Sequence, residues 1–349
     1  MLTKTLKTVF FLCFLLMTAQ GMYLSRNESE YIPVTNSSPV ISTTVSTDST
    51  ECSVYNMGGK AFPENSAQSA SVICADTGEF LYLKNADTPL PMASTTKIMT
   101  AITAIENIPQ NSICKVPAEV CGTEGSSIYL TPGEEIFVTD LLYGLLLESG
   151  NDAASALAWM YPEGSTEFIG LMNRKAKEMG LLQTNFENPH GLSAENHRTT
   201  ARELALISYH AMKNPLFRQI VGTKTYTVKN KDGIPVKYFS NHNKLLRSYE
   251  GMTGIKTGYT LSSGRCLVTS AKRNGSEFIV VTLNDRNDFR DHTALLDYAF
   301  ATYRTVSFAK KGELSFLLGG KRFSNPEDVC VTACEDITKK DFSLILTAN

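Results

Sequence analysis

No sign of charge dominates this 349-residue chain, in which 33 Lys and Arg stand against 35 Asp and Glu for a formal net charge of -2. A surface without a single-sign field is a poor match for a phosphate backbone, and no arginine-rich stretch interleaved with aromatics occurs, so nucleic acid is not an expected partner. Metal ligands are also missing. Neither the Cys114/Cys121 pair nor the Cys330/Cys334 pair is followed by histidines at zinc-site spacing, and no metal or cofactor is expected. No internal repeat is present, and the apolar run Val9 to Met17 is shorter than the roughly 20 residues that span a bilayer.

Hydrophobic residues make up 42% of the chain and charged ones 19%, enough for one large core and a second small one. Lys4 and Lys7, the run Val9 to Met17 and the small and polar residues Thr18-Ala19-Gln20-Gly21 form the pattern of a secretory signal peptide, residues 1–21. Export follows, to the cell wall or the outer face of the membrane, and an uncleaved N-terminal segment is the one route to membrane association. Cys13 lies inside the apolar run, which does not fit a lipoprotein cleavage site. Without it, Cys52, Cys74, Cys114, Cys121, Cys266, Cys330 and Cys334 remain, an odd number. Cys114 with Cys121 and Cys330 with Cys334 are near enough in sequence for short bridges, and burial as small hydrophobes is the other role open to them. The Ser, Thr, Asn and Pro between Ser25 and Ser53 bury too little apolar surface to offset the entropy of ordering. Residues 22–66 are assigned to a tether on this ground.

A compact domain is expected over 67–303. Ser71 to Cys74 and Phe80 to Leu83, joined through Asp76-Thr77-Gly78, predict two strands and a turn. Apolar residues at helical spacing predict helices over Ile98 to Ile105, Val138 to Leu147, Ala153 to Met160, Thr166 to Glu178, Thr200 to Met212 and Thr293 to Tyr303. Arg265 to Ala271 and Glu277 to Leu283 predict strands around the turn Arg273-Asn274-Gly275. Strands at both ends of the domain would share one sheet, with helices clustered between them: an α+β fold. Alternating stretches at Leu314 to Leu318, Val329 to Val331 and Phe342 to Leu346 suggest a short β-rich module, or the beginning of one, over 304–349.

Three short motifs carry chemistry. Ser94-Thr95-Thr96-Lys97 sets a hydroxyl and an amine three residues apart, on one face of a helix start. A desolvated lysine can lose its proton near neutral pH and activate a serine; the structural alternative is an N-capping serine beside a solvated charge. Ser149-Gly150-Asn151 follows a helix, where it either aims polar groups into a cleft or merely ends the helix. Lys256-Thr257-Gly258 suits a strand edge, with glycine admitting a substrate backbone.

In that order, Ser-x-x-Lys, Ser-x-Asn and Lys-Thr-Gly are the set shared by penicillin-binding proteins and serine β-lactamases. Further stretches bring the resemblance to the low-molecular-mass penicillin-binding proteins, the D-alanyl-D-alanine carboxypeptidases of serine peptidase family S11: Pro89 to Thr100, Asn188-Pro189-His190-Gly191-Leu192, Thr199 to Leu204, Asn241 to Leu246 and Gly254 to Thr260. The similarity runs from about Ala67 to Phe300. It implies a β-lactamase-like transpeptidase fold, an antiparallel sheet with a helical cluster. It also implies that Ser94 attacks the penultimate D-alanine carbonyl of a peptidoglycan stem peptide ending in D-Ala-D-Ala, with Lys97 taking the hydroxyl proton. Ser149 would relay that proton to the leaving amine, Asn151 would bond Lys97 and the substrate amide, and Lys256 and Thr257 would face the terminal carboxylate beside Gly258. Backbone N–H groups of Ser94 and Tyr259 would form the oxyanion hole, and β-lactam antibiotics would acylate the same serine.

A Ser-His triad through His190 or His197 is set aside because Lys97 already supplies the base in the matched motif. Arg286 and Arg290 are left out of the site. Two rivals remain: a serine β-lactamase, which needs a group that delivers water to the ester, and a non-catalytic wall- or β-lactam-binding protein, which would be marked by loss of a motif residue. The C-terminal amphipathic helix of many relatives is not apparent.

Overall fold

The computed structural model describes residues 61–310, 312–313, 315–318, 321–324 and 329–334. The expected signal segment with Cys13, most of the expected tether with Cys52, and Phe342 to Leu346 lie outside the described residues. The chain divides into a unit spanning Lys60–Ala301 and a second that includes Thr302 onward.

The larger unit is built on an antiparallel sheet of five strands in the order β2-β1-β9-β8-β7. Its members are β1 (Ser69–Cys74), β2 (Phe80–Lys84), β7 (Met252–Thr260), β8 (Gly264–Arg273) and β9 (Ser276–Leu283). Two short pairs stand apart: β3 (Ile113–Lys115) with β4 (Glu135–Phe137), and β5 (Thr225–Lys229) with β6 (Pro235–Ser240). Every residue of β1 and β9 is buried, so the centre of the sheet is covered on both faces. Alternation assigns the covers. Ile279, Val281 and Leu283 turn toward the helical core, and Ser71, paired with Val281, bonds from that face to the Ala201 carbonyl at 2.8 Å. Phe278, Val280 and Thr282 turn the other way, where His292 bonds Thr269 Oγ1 at 2.7 Å and Thr282 Oγ1 at 2.9 Å.

The core helices are α1 (Lys97–Asn107), α2 (Val138–Leu147), α3 (Asn151–Trp159), α4 (Ser165–Glu178), α5 (Ala201–Met212) and α6 (Pro215–Gly222); α7 (Leu245–Ser248) and α8 (Asp288–Thr302) follow. Lys97 through Ile105 are all buried, which makes α1 a central helix enclosed by its neighbours rather than an amphipathic surface one.

Sequence and structure differ at several edges for identifiable reasons. The last helix starts at Asp288 instead of Thr293: the acidic stretch resembles a loop, yet Asp288 and Asp291 occupy the first helical turn, where carboxylates complement the backbone N–H groups. Residues assigned to the end of the tether are fixed in place, since Ser66 Oγ reaches Asp285 Oδ1 at 2.6 Å and Asp291 Oδ2 at 2.8 Å. Cys114 and Cys121 do not bridge: Cys114 is buried in the core, and the Cys121 thiol bonds the Pro117 carbonyl at 3.5 Å. In the second unit, β10 (Tyr303–Ala309) pairs antiparallel with β13 (Val329–Cys334), and β11 (Ser315–Leu318) with β12 (Lys321–Ser324).

Candidate active site

Pro89 and Pro91 keep the chain extended before it enters a 3-10 turn, Ala93–Thr96, that leads directly into α1. Side chains tie this turn to itself: Thr95 Oγ1 donates to the Met92 carbonyl at 2.6 Å and Thr96 Oγ1 to the Ala93 carbonyl at 2.8 Å. Ser94 caps nothing, which removes the N-cap reading, and stays partly accessible. Its hydroxyl accepts a hydrogen bond from Lys97 Nζ at 2.9 Å.

Lys97 is fully buried. Its amine also donates to Asn151 Oδ1 and to the His190 carbonyl, each at 2.6 Å. Three acceptors match the three protons of an ammonium. Loss of one proton has a defined consequence: the two carbonyl oxygens can only accept, so they retain the two remaining N–H groups and the lone pair faces Ser94. The serine then becomes the donor, the arrangement a base requires. Burial, and secondarily the nearby Lys256 charge, push the Lys97 pKa well below that of an ordinary lysine, and Asp152 opposes the shift.

Asn151 begins α3 after a corner at Ser149-Gly150, where Ser149 is buried with φ of 62°. That left-handed residue turns the chain sharply between α2 and α3. Among the described residues Ser149 makes no direct hydrogen bond to Ser94 or Lys97. Asn151 is held at both ends: its backbone N–H donates to the Ser126 carbonyl at 2.7 Å and its Nδ2 to the Glu124 carbonyl at 2.5 Å. Asp152, absent from the sequence-based site, organises the loop that supplies those carbonyls. Its carboxylate, fully buried, accepts Ser127 Oγ at 2.6 Å and the N–H groups of Ile128 and Leu130, each at 3.0 Å.

The third wall is β7, an edge strand of the sheet. Lys256 is buried; its amine bonds the Thr257 carbonyl at 3.0 Å, and burial lowers its pKa to about 7. A Cβ on Gly258 would lie 3.0 Å from the Ser94 nitrogen, so the strand runs against the Ala93–Thr96 turn where only glycine fits. Thr257 is partly exposed and the Tyr259 side chain points to solvent at 63% exposure, leaving Tyr259's backbone, not its ring, beside the turn. A cavity of about 340 Å³ opens there, lined by Met92, Ala93, Leu192, Thr260 and Ser262 among others.

The histidines are structural. His197 Nδ1 accepts the Glu187 N–H at 3.0 Å, so its Nε2 carries the proton and donates to Thr96 Oγ1 at 2.7 Å; burial drops its pKa to about 4. His190 Nδ1 accepts the Leu192 N–H at 3.2 Å, and burial likewise lowers its pKa to about 4. What His190 gives the site is its carbonyl, which no side-chain motif could have revealed. Next to it, Gly191 has φ of 90°, and a Cβ there would fall 2.0 Å from the Ala93 oxygen. Gly191→Ala should therefore displace the Ala93–Thr96 turn and cost at least about 3 kcal/mol of stability, readable as a fall in Tm and in the rate at which benzylpenicillin acylates Ser94. Among the described residues no group of three His, Cys, Asp or Glu could hold a metal ion.

Known proteins resemble this chain in sequence and in fold. Residues 57–287 match the sequence profile of peptidase S11, described as D-alanyl-D-alanine carboxypeptidase. The chain is 38% identical over 259 residues to the D-alanyl-D-alanine carboxypeptidase DacF of Bacillus subtilis, covering 71% of this chain and 65% of that protein. It is also 38% identical to the D-alanyl-D-alanine carboxypeptidase of Streptomyces sp. strain K15, covering 64% of this chain and 84% of the relative. The crystal structure of the Streptomyces K15 DD-transpeptidase superposes with a TM-score of 0.66 at 35% identity, over 69% of this chain and 100% of that one. A penicillin-binding protein homologue of Mycobacterium tuberculosis gives a TM-score of 0.66 at 30% identity. The α+β, penicillin-binding-protein fold is thus established, and the chain belongs to the peptidase S11 family, the D-alanyl-D-alanine carboxypeptidases.

Proposed function

We propose that the chain is a serine-type D-Ala-D-Ala carboxypeptidase that removes the terminal D-alanine from peptidoglycan stem peptides. The observation that carries this reading is the buried Lys97 amine, 2.9 Å from Ser94 Oγ and fixed by two further acceptors. Neutral Lys97 takes the Ser94 hydroxyl proton as Oγ bonds to the penultimate D-alanine carbonyl carbon. The Ser94 and Tyr259 N–H groups hold the oxyanion, a type of contact whose removal costs about 10²–10³ in rate. Collapse of the tetrahedral intermediate breaks the peptide bond, and the proton passes from Lys97 through Ser149 to the D-alanine amine. Water then adds to the Ser94 ester, Lys97 again taking the proton, and the shortened peptide leaves. Asn151 orients the substrate amide, and Lys256 with Thr257 meets the terminal carboxylate. Export by cleavage after residue 21 would place this activity at the wall.

Benzylpenicillin tests the reading through intact mass. The wild-type domain should carry a long-lived adduct of one penicillin, and Ser94→Ala none, together with loss of D-alanine release from a D-Ala-D-Ala peptide. Rapid penicillin turnover without a lingering adduct would favour a β-lactamase; neither adduct nor turnover would leave a binding protein.

A further inference from the structure

Helix α1 offers a second donor to the loop that carries the His190 carbonyl. Lys97 and Thr100 are three residues apart on α1, so their side chains leave the same face. They donate to successive carbonyls: Thr100 Oγ1 to Pro189 and Lys97 Nζ to His190, each at 2.6 Å. Thr100 is fully buried, and the ordinary partner of a helical threonine, the carbonyl four residues back, is also within reach. That contact, to Thr96, is 3.4 Å long, and the Met172 sulfur is 4.0 Å away, so the single hydroxyl proton is committed to Pro189. Asn188 closes the loop from its other side. Its Oδ1 accepts the Gly191 N–H at 2.7 Å and the His190 N–H at 3.3 Å, while Nδ2 donates to the Leu192 carbonyl at 2.9 Å.

We infer that Thr100 and Asn188 are positioning residues for proton transfer, which fix the loop from two sides so that the His190 carbonyl stays on the Lys97 amine. The inference rests on the carboxypeptidase reading for the role of Lys97 as the base. A neutral amine held by Asn151 Oδ1 and the His190 carbonyl has its lone pair aimed at Ser94. Held by Asn151 alone it can turn about that one bond, and the lone pair is then turned away from the serine for part of the time. The same carbonyl favours the charged form of the amine, as any acceptor of its hydrogen bond does, so losing it lets the proton leave more readily. The charged and titratable groups that act on or sense the amine are Lys256 from β7, Asp152 from α3, and His190 and His197 from the loop. Substitution at Thr100 or Asn188 leaves all four in the chain.

The test is the rate at which benzylpenicillin acylates Ser94, followed by intact mass as a function of pH and accompanied by a thermal melt, in wild type, Thr100→Val, Thr100→Ser and Asn188→Ala. Thr100→Val keeps the shape of the side chain and loses the hydroxyl. Its rate should fall about tenfold, less than the roughly 10² that a misplacement of about 1 Å can cost, and the rising limb of its pH profile should move to lower pH. Thr100→Ser, which keeps the hydroxyl, should recover both. With a D-Ala-D-Ala peptide the loss should fall on kcat and leave KM nearly unchanged, because Thr100 is buried away from the substrate. Asn188→Ala, at a partly exposed position, should move the limb in the same direction and decides the matter if Thr100→Val does not fold. A rising limb that stays in place in the folded variants, even with a lower Tm and a lower rate, marks both residues as purely structural and overturns the inference. Wild-type protein that benzylpenicillin leaves unmodified would instead sink the carboxypeptidase reading, and the inference with it.

Discussion

Lys97→Met should slow acylation of Ser94 by benzylpenicillin by about 10⁴-fold, close to 5.5 kcal/mol of barrier, in a protein that remains folded. The side chains are similar in length and the methionine fills the same buried volume. Two carbonyl oxygens, Asn151 Oδ1 and the His190 carbonyl, lose a donor, at roughly 1–3 kcal/mol each. Against this stands relief from burying an amine whose natural state is charged, several kcal/mol in unpaired cases. The two offset, so the loss of rate is a loss of chemistry, checked by intact mass alongside a thermal melt. The pH profile gives a second reading. In wild type the rate should rise with pH as Lys97 loses its proton, starting well below the range of an ordinary lysine, and fall near pH 7 as Lys256 becomes neutral. The rising limb should vanish in Lys97→Met while the falling limb stays. Near-wild-type acylation would mean that another group takes the proton.

The approach of Lys97 to Ser94, the proposed base and nucleophile, was legible in the sequence because their relation is local: three residues within one turn and the start of α1 fix it, whatever the rest of the chain does. Asn151, Lys256 and Gly258 were legible only through the joint pattern of motifs, since no local rule brings α3 and β7 to the same turn. The His190 carbonyl and the Glu124 and Ser126 carbonyls escaped notice because a main-chain oxygen has no residue signature; only the path of a loop turns it inward. The helices followed the same logic. Val138–Leu147 was readable to the residue from its apolar density, whereas Pro215–Gly222 was missed although Asn214 caps it, accepting the Leu216 and Phe217 N–H groups at 3.0 and 3.1 Å ahead of a first-turn proline. The β5–β6 pair was missed because most of its residues are exposed, although β5 alternates exposed and covered positions over its five residues.

Asp152→Ala should damage stability and catalysis together, through a loop that touches neither Ser94 nor Lys97 directly. The carboxylate gathers Ser127 Oγ and the N–H groups of Ile128 and Leu130, and Ile128 and Leu130 are buried. Two backbone donors left without partners cost roughly 2–6 kcal/mol in sum, a large share of the roughly 5–15 kcal/mol that holds a domain together. The segment from Glu124 to Leu130 would then loosen, and with it the Glu124 and Ser126 carbonyls that hold Asn151. A freed Asn151 no longer fixes the Lys97 amine, so acylation should fall by about 10². Charge separates this effect from that of Lys97→Met. Asp152 raises the Lys97 pKa, so without it the amine loses its proton more easily, and the rising limb should shift to lower pH instead of disappearing. Asp152→Asn, which removes the charge and keeps one acceptor, should show the same shift with a smaller fall in Tm. A rising limb that stays in place in both variants would mean that Asp152 acts on the site through the loop alone.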